Sequence, residues 1–554
     1  MFQVKIQVDN YNEIEIFIMS VRMISKYFPI LSLPVSIIFI VYMMSQNISL
    51  PGFYYDDAYY ARLTLLLLQN APPNSYAVDT VTILGHVFPT YITYQGFLHS
   101  YLYIPFYEIL GGSTISMRIL GIIINAATLV VTYFFSKEIF DKKTAAISVI
   151  ILATLSTFLF YGKFSGWVST ELFLFFISSL YFLFKWKNTN KTKFLLASTF
   201  VIGLGISTKL IFLWTLPGLL IFFVLYKNWK DLSLKKILLS IITFCAGSIL
   251  FLLYIIKSGA SFIHVVMSGS SKTLYGASNT DFLSNLSLRI NQFVDILSGN
   301  SLGMLGGMYS NLLPVFLFLI SVIGYFFLAK YSKIIHLKNG VFIIVLFFTM
   351  IVLSSFTLST FNPAQLLILL PIPSIIIASF LSSLIDSAKK WDKTRIITLC
   401  VGIVVSALII TNIITITEYN NSLERTGGVG NFSDQNDNLA KFLLENQYYH
   451  PIALDWGFAN PTYVITDGKV DSKEIFGYPD LGGNTNVNSF VMTLENSFKD
   501  PNNVYLIHSP GQQTSFDRRD LFEKTAESTG KKLILIKEFY QRDGLSVIQV
   551  FKAE

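Results

Sequence analysis

Residues 194–226 read FLLASTFVIGLGISTKLIFLWTLPGLLIFFVLY. As one helix, at 1.5 Å per residue, this run would be about 50 Å long. A bilayer crossing needs roughly 20 apolar residues, so the run is too long for one span and short for two. Its neighbour decides between them. The loop 227–236 carries Lys227, Lys230, Lys235 and Lys236. A single crossing would place that loop outside and invert every later loop. Two short helices with a tight turn near Lys209 keep all the basic loops together.

Apolar stretches continue in both directions: 29–46, 117–136, 144–161, 171–186, 194–208, 210–226, 237–257, 311–329, 340–358, 363–384 and 396–416. Lysines collect in alternate loops. Lys137, Lys142 and Lys143 lie in 137–143, and Lys185, Lys187, Lys191 and Lys193 in 185–193. Lys330, Lys333 and Lys338 lie in 330–338, and Lys389, Lys390, Lys393 and Arg395 in 385–395. The positive-inside rule assigns these loops and the N-terminus to the cytoplasm. The expectation is a mainly α, multi-pass protein of the cell (plasma) membrane with about eleven transmembrane helices. Residues 1–416 form the membrane module, and 417–554 form an extracytoplasmic α/β domain. In that tail, 451–455, 504–508, 532–538 and 546–551 read as strands, and 438–445 and 517–528 as helices. The two long external loops, 47–116 and 258–310, contain amphipathic stretches such as Phe282–Leu297, expected to lie along the membrane surface.

Composition agrees. Of 554 residues, 53% are hydrophobic and only 14% charged, against about a quarter charged in a soluble protein. The net charge of +7 sits in short topological loops, so it does not indicate a nucleic-acid partner. Cys245 and Cys400 both fall within apolar runs, so no disulfide framework supports the tail. The first apolar run follows a long segment with Asp9, Glu13 and Glu15 and lacks a small-x-small cleavage site, so it reads as a retained anchor. There is no phosphate-cradling glycine loop and no chain of charges through the spans, as a pump would need.

The chemistry-bearing residues gather in the external segments. Tyr54-Tyr55-Asp56-Asp57-Ala58-Tyr59-Tyr60-Ala61-Arg62 follows the first span. Adjacent carboxylates can act as a general base or hold a divalent cation; the purely structural account has Asp56 capping a helix over 57–69. Glu171 opens the fourth span after Lys163. It is either a solvated helix start or a third acid, and Asp56, Asp57 and Glu171 could then share a divalent cation, which is not required. Lys209 and Arg118 are cations on the side where the positive-inside rule disfavours them. Snorkelling explains either one alone, and a lipid phosphate explains both. Lys272 and Arg289 in the second long loop are further cationic candidates. His99 has no metal-ligand spacing around it.

Taken together these pieces resemble the GT-C membrane glycosyltransferases, in the glycosyltransferase family 39 branch that contains protein O-mannosyltransferases and the lipid A aminoarabinose transferase. The likeness covers mainly residues 50–230. Asp56-Asp57-Ala58-Tyr59-Tyr60 resembles the acidic pair of the first external loop, although the family's second acid is usually Glu. Tyr94–Tyr101, including His99, stands where a His-Pro-Pro-Leu-Tyr-type segment is common, without the two prolines. Gly112-Ser113 with Arg118 resembles the Gly-x-Ser…Arg entry to the second span. Glu171 stands at the second external acid, and Gly203–Lys209 is similar to a Gly-x-x-x-x-Thr-Lys segment. In the tail, Asp455-Trp456-Gly457 is reminiscent of the oligosaccharyltransferases' Trp-Trp-Asp-Tyr-Gly, and a strand-end turn accounts for it equally well.

The resemblance implies transfer of a sugar from a polyprenyl-phosphate donor to an acceptor hydroxyl of a protein, lipid or glycan on the outer face of the membrane. Asp56, Asp57 and Glu171 are the implied catalytic candidates. Tyr60, Arg62, His99, Arg118, Lys163, Lys209, Lys272 and Arg289 are candidates for holding the lipid phosphate or sugar. An oligosaccharyltransferase-like enzyme and a polyprenyl-lipid transporter or flippase are the alternatives.

Overall fold

The computed structural model describes residues 27–71, 79–92, 94–164, 169–259, 267, 271–273, 276–331, 336–358, 360–388, 394–477, 486–514 and 517–554. The N-terminal segment, Lys333, Lys389, Lys390 and Lys393 lie outside them. Every apolar stretch of the sequence contains helix. In chain order the elements are α1 (Tyr27–Ser45), α2 (Tyr55–Leu68), strands β1 (Asp79–Ile83), β2 (His86–Ile92) and β3 (Gln95–Gly96), then α3 (Leu98–Leu110), α4 (Thr114–Ile139), α5 (Lys142–Thr154), α6 (Ser156–Lys163) and α7 (Ser169–Thr189). Next come α8 (Thr192–Thr208), α9 (Leu216–Tyr226), α10 (Leu234–Gly247), α11 (Ile249–Ser258), α12 (Phe282–Ser298), α13 (Leu313–Tyr331), α14 (Leu337–Leu353), α15 (Pro371–Ala388) and α16 (Thr394–Thr426).

Among the described residues, four helices (α1, α4, α15 and α16) are by themselves long and apolar enough to cross a bilayer. Two bent pairs bring the number to six. The α5–α6 pair bends by 62° at Leu155 and the α10–α11 pair by 78° at Ser248. The apolar run 194–226 divides at Lys209, whose extended backbone ends α8. A 3₁₀ turn, Leu210–Thr215, leads from there into α9.

Two close helix approaches explain glycines in this bundle. A Cβ on Gly203 of α8 would overlap Phe244 O and Ser248 N, and one on Gly247 of α10 would overlap Phe200 O. Small residues let two membrane helices pack backbone to backbone. The helix expected to lie along the membrane surface, α12, turns Asn285, Arg289 and Gln292 inward and leaves Leu283, Leu288 and Ile290 exposed. Arg289 donates to Ser354 O at 2.8 Å, Gln292 Oε1 at 2.8 Å and Gln365 Oε1 at 2.8 Å. Burial of that guanidinium requires every one of these partners.

The long first loop forms a three-stranded antiparallel sheet, β1-β2-β3. Its tight turn uses Leu84 and Gly85, both at positive φ, the hairpin geometry whose twist matches the strands.

The tail begins with α17 (Gln435–Glu445) and continues through β4 (Ile452–Ala453), α18 (Ala459–Ile465), β5 (Lys473–Glu474), α19 (Val487–Ser497), β6 (Tyr505–His508), α20 (Arg518–Ser528), β7 (Leu533–Tyr540) and β8 (Ser546–Ala553). The strand order is β5-β4-β6-β8-β7. β4 runs parallel to β5 and β6, while β8 pairs antiparallel with β6 and β7. Alternation sets the two faces. Leu506 packs with Leu439 and Leu443 of α17 on one side. Tyr505 and Ile507 pack with Phe490 of α19 and Phe522 of α20 on the other. The tail is thus a sheet with helices on both faces.

Candidate functional site

Helix α2 begins at Tyr55, so Asp56 and Asp57 occupy its first turn, where the helix dipole favours acids. Asp56 is not the N-cap. Tyr54 holds that position without a side-chain capping bond. One helical residue corresponds to about 100° of rotation, so the two carboxylates point apart and meet different partners.

Asp57 turns inward. Its Oδ2 lies 2.6 Å from Arg118 Nη1 on α4, and both side chains are essentially without solvent exposure. Ser113 caps α4 through a reciprocal bond with Ser116, which fixes the start of the helix that carries Arg118. The same guanidinium donates to Lys163 O at 2.8 Å and lies 4.6 Å from the Phe164 ring. Lys163 is occupied in turn: its ammonium donates to Gln46 O at 2.9 Å and Asn47 O at 2.6 Å, just past the end of α1. Lys163 thus locks the chain just past the end of α1.

Asp56 is half-buried, and its charge acts on Lys209, Tyr59 and Tyr60. Lys209 sits where a β-bridge joins it to Gln95, and Leu210 N–H donates to Tyr94 O at 2.9 Å. Its ammonium is 5.7 Å from the Tyr94 ring. Gln95 Nε2 donates to Tyr60 Oη at 2.7 Å. Asp56, Tyr60, Gln95 and Lys209 thus form one polar group where α2, β3 and the α8 terminus meet. Gln95 was not singled out from the sequence, since a lone Gln in a Tyr-rich loop carries no signal.

Glu171 and His99 lie deeper. They are hydrogen-bonded to each other and are both fully buried. Thr170 Oγ1 donates to Glu171 Oε2 at 2.8 Å, and His99 Nε2 lies 3.0 Å from Met117 Sδ. The Tyr60 ring meets His99 edge-on at 5.1 Å. Glu171 is not a solvated helix start, and His99 braces it. The three acids do not converge: among the described residues, no three His, Cys, Asp or Glu side chains are grouped to hold a metal ion.

The remaining cations lie elsewhere. Arg62 reaches the tail, with Nη2 2.9 Å from Asp471 Oδ1 and its guanidinium 4.0 Å from the Tyr463 ring. Arg289 is fully engaged by the carbonyls and amides described above. Lys272 is exposed in a turn that pairs it with Ser278.

Residues 95–256 match the family described as dolichyl-phosphate-mannose-protein mannosyltransferase. No protein of curated function matches the sequence. ArnT from Cupriavidus metallidurans in the apo state superposes with a TM-score of 0.60 at 12% identity, over 95% of this chain and 98% of that one. ArnT bound to undecaprenyl phosphate gives 0.57 at 12% identity, over 94% and 97%. The archaeal oligosaccharyltransferase AglB from Archaeoglobus fulgidus, in complex with an inhibitory peptide and a dolichol-phosphate, gives 0.50 at 11% identity, over 92% and 69%. Residues 95–256 thus match that family's model, and the whole chain shares the fold of the ArnT structures.

Proposed function

We propose that the chain moves a glycosyl group from a polyprenyl-phosphate donor to an acceptor hydroxyl, at the membrane face that carries the tail. One observation carries the reading. Of the three candidate acids, Asp57 is bound to Arg118 and Glu171 to His99, and the charge of Asp56 acts on the Lys209 ammonium. A carboxylate whose charge reaches an ammonium is what the reaction needs. Asp56 takes the proton of the attacking hydroxyl. The bond from the anomeric carbon to the phosphate oxygen breaks, and Lys209 stabilises the departing lipid phosphate. Gln95 and Tyr60 hold the wall between them.

Two similar structures support this reading: ArnT is bound to undecaprenyl phosphate, and AglB is in complex with a dolichol-phosphate. The basic loops support placing the tail outside the cytoplasm. Protein, lipid and glycan all remain acceptor classes.

The test uses the full chain in lipid nanodiscs with synthetic undecaprenyl-phosphate and dolichyl-phosphate sugars, following release of the lipid phosphate. Asp56→Asn should lower turnover by about 10²–10⁴-fold, and Lys209→Met should weaken use of the donor. Full turnover by Asp56→Asn would remove Asp56 from the mechanism. Lipid movement across the bilayer without sugar release would favour a transporter.

A further inference from the structure

Three residues around Asp56, Tyr54, Tyr55 and Arg62, end on the tail. Arg62 pairs with Asp471 and lies over Tyr463. Tyr55 Oη donates to Glu474 Oε2 at 3.2 Å, and its ring packs on Trp456 at 4.4 Å. Tyr54 stacks on Phe432 at 4.1 Å and meets Trp456 edge-on at 5.8 Å. No capping side chain holds the start of α2, and these contacts join the Asp57–Arg118 pair in fixing it.

Trp456 is itself fixed from behind. Asp455, fully buried at the end of β4, accepts from Trp456 N–H at 2.8 Å and from Thr514 N–H at 3.1 Å. It bonds His508 Nδ1 at 2.9 Å and also accepts from the Thr514 hydroxyl. His508 stacks on Phe458 at 4.4 Å. Gly457 turns the chain at φ +118°, a conformation that side chains rarely adopt, and a Cβ there would press on Asn431. Burial alone would raise the Asp455 carboxyl. The bonds from His508, Thr514 and Trp456 hold it below the usual carboxylate range, so the hub stays charged and closed.

We infer that the tail is a clamp on α2, and that Trp456, Arg62 and Asp471 are positioning residues that set where the Asp56 carboxylate lies relative to Lys209. This rests on the reading of Asp56 as the base. A slip of α2 by one residue would swing Asp56 by about 100°. A misplacement of about 1 Å is enough to cost on the order of 10²-fold in rate. The Asp455–His508–Thr514 hub anchors one jaw, and the Arg62–Asp471 pair forms the other.

The experiment compares Arg62→Asp, Asp471→Arg and the charge-exchanged double variant in the full chain in nanodiscs. Two readouts are taken: hydrogen–deuterium exchange of peptides spanning 55–68, and kcat and KM for undecaprenyl-phosphate mannose. Each single variant should speed exchange in 55–62 and lower kcat on the order of 10²-fold with little change in KM. The double variant should recover both. Trp456→Ala should behave as the single variants do, and Trp456→Phe should retain most of the native behaviour. Unchanged exchange in the single variants overturns the clamp. So does faster exchange with native kcat, or a double variant no better than either single one. Faster exchange that is rescued, in a chain whose native form turns over no donor, supports the clamp and refutes the proposed reaction.

Discussion

Arg118 Nη1 and Asp57 Oδ2 lie 2.6 Å apart with neither side chain reaching solvent. That pair divides the work of the two neighbouring acids. Breaking a buried ion pair by removing one partner strands a charge, at a cost of about 3–5 kcal/mol. Arg118→Ala should therefore lower the thermal midpoint of the detergent-solubilised chain sharply, and Asp57→Asn should do so to a lesser extent. Asp56→Asn should leave it near the native value. Equal midpoints for all three would show that the pair contributes nothing to the fold.

Glu171 and His99 should behave as a unit. Removing the carboxylate leaves a buried imidazole and the Thr170 hydroxyl without their partner, a loss of about 1–3 kcal/mol. Glu171→Ala and His99→Ala should each destabilise by this order, and the double variant by much less than their sum. A double-mutant cycle read by thermal unfolding checks this. Additive losses would mean that the two side chains act independently.

The tail carries its own pH dependence. Burial, opposed by Lys441 and reinforced by Asp434, raises Asp437 from 3.8 to about 6. The folded form thus binds the proton more tightly than the unfolded chain. Its stabilising contribution is complete below pH 4 and is lost as pH rises through 6. Asp437→Asn should raise the stability of the tail at pH 7.5 and flatten its decline between pH 4 and 7. Protease resistance of the 435–445 region across that range measures it, and an unchanged profile would discount Asp437.

The α8–α10 contact tolerates no added methyl groups. Gly203→Ala and Gly247→Ala should each cost about 1–3 kcal/mol by overpacking, and a Gly203→Leu variant should fail to assemble. Size-exclusion profiles in mild detergent report the outcome. Native-like behaviour of both alanine variants would place the two helices farther apart than described.

The apolar runs were legible because composition alone specifies them, and the break at Lys209 because the neighbouring lysines fix parity. The site was legible only as a set of residue types. Nothing local tells Asp56 from Asp57: the partner that separates them is 61 positions away in sequence. Lys163 and Arg289 resemble phosphate ligands in sequence because their acceptors are mostly backbone carbonyls and neutral amides, which leave no charged signature. The hairpin at Leu84-Gly85 was missed because leucine rarely takes a left-handed turn position. Helices α18 and α19 were missed because short, polar segments show weak periodicity. Trp456 looked like an ordinary turn residue, and its importance comes entirely from the helix it meets.

Strand β8 joins β6 to β7 in the interior of the tail sheet, yet it leaves the ribosome after every strand it connects. A chain stalled before residue 546 holds β5-β4-β6 with an unpaired edge, and β7 has no partner. The membrane helices and Asp56 are by then already made. Assembly order therefore delays completion of the tail until the whole membrane module has been synthesised, and a truncated chain presents the edge of β6 as a template for pairing with another strand.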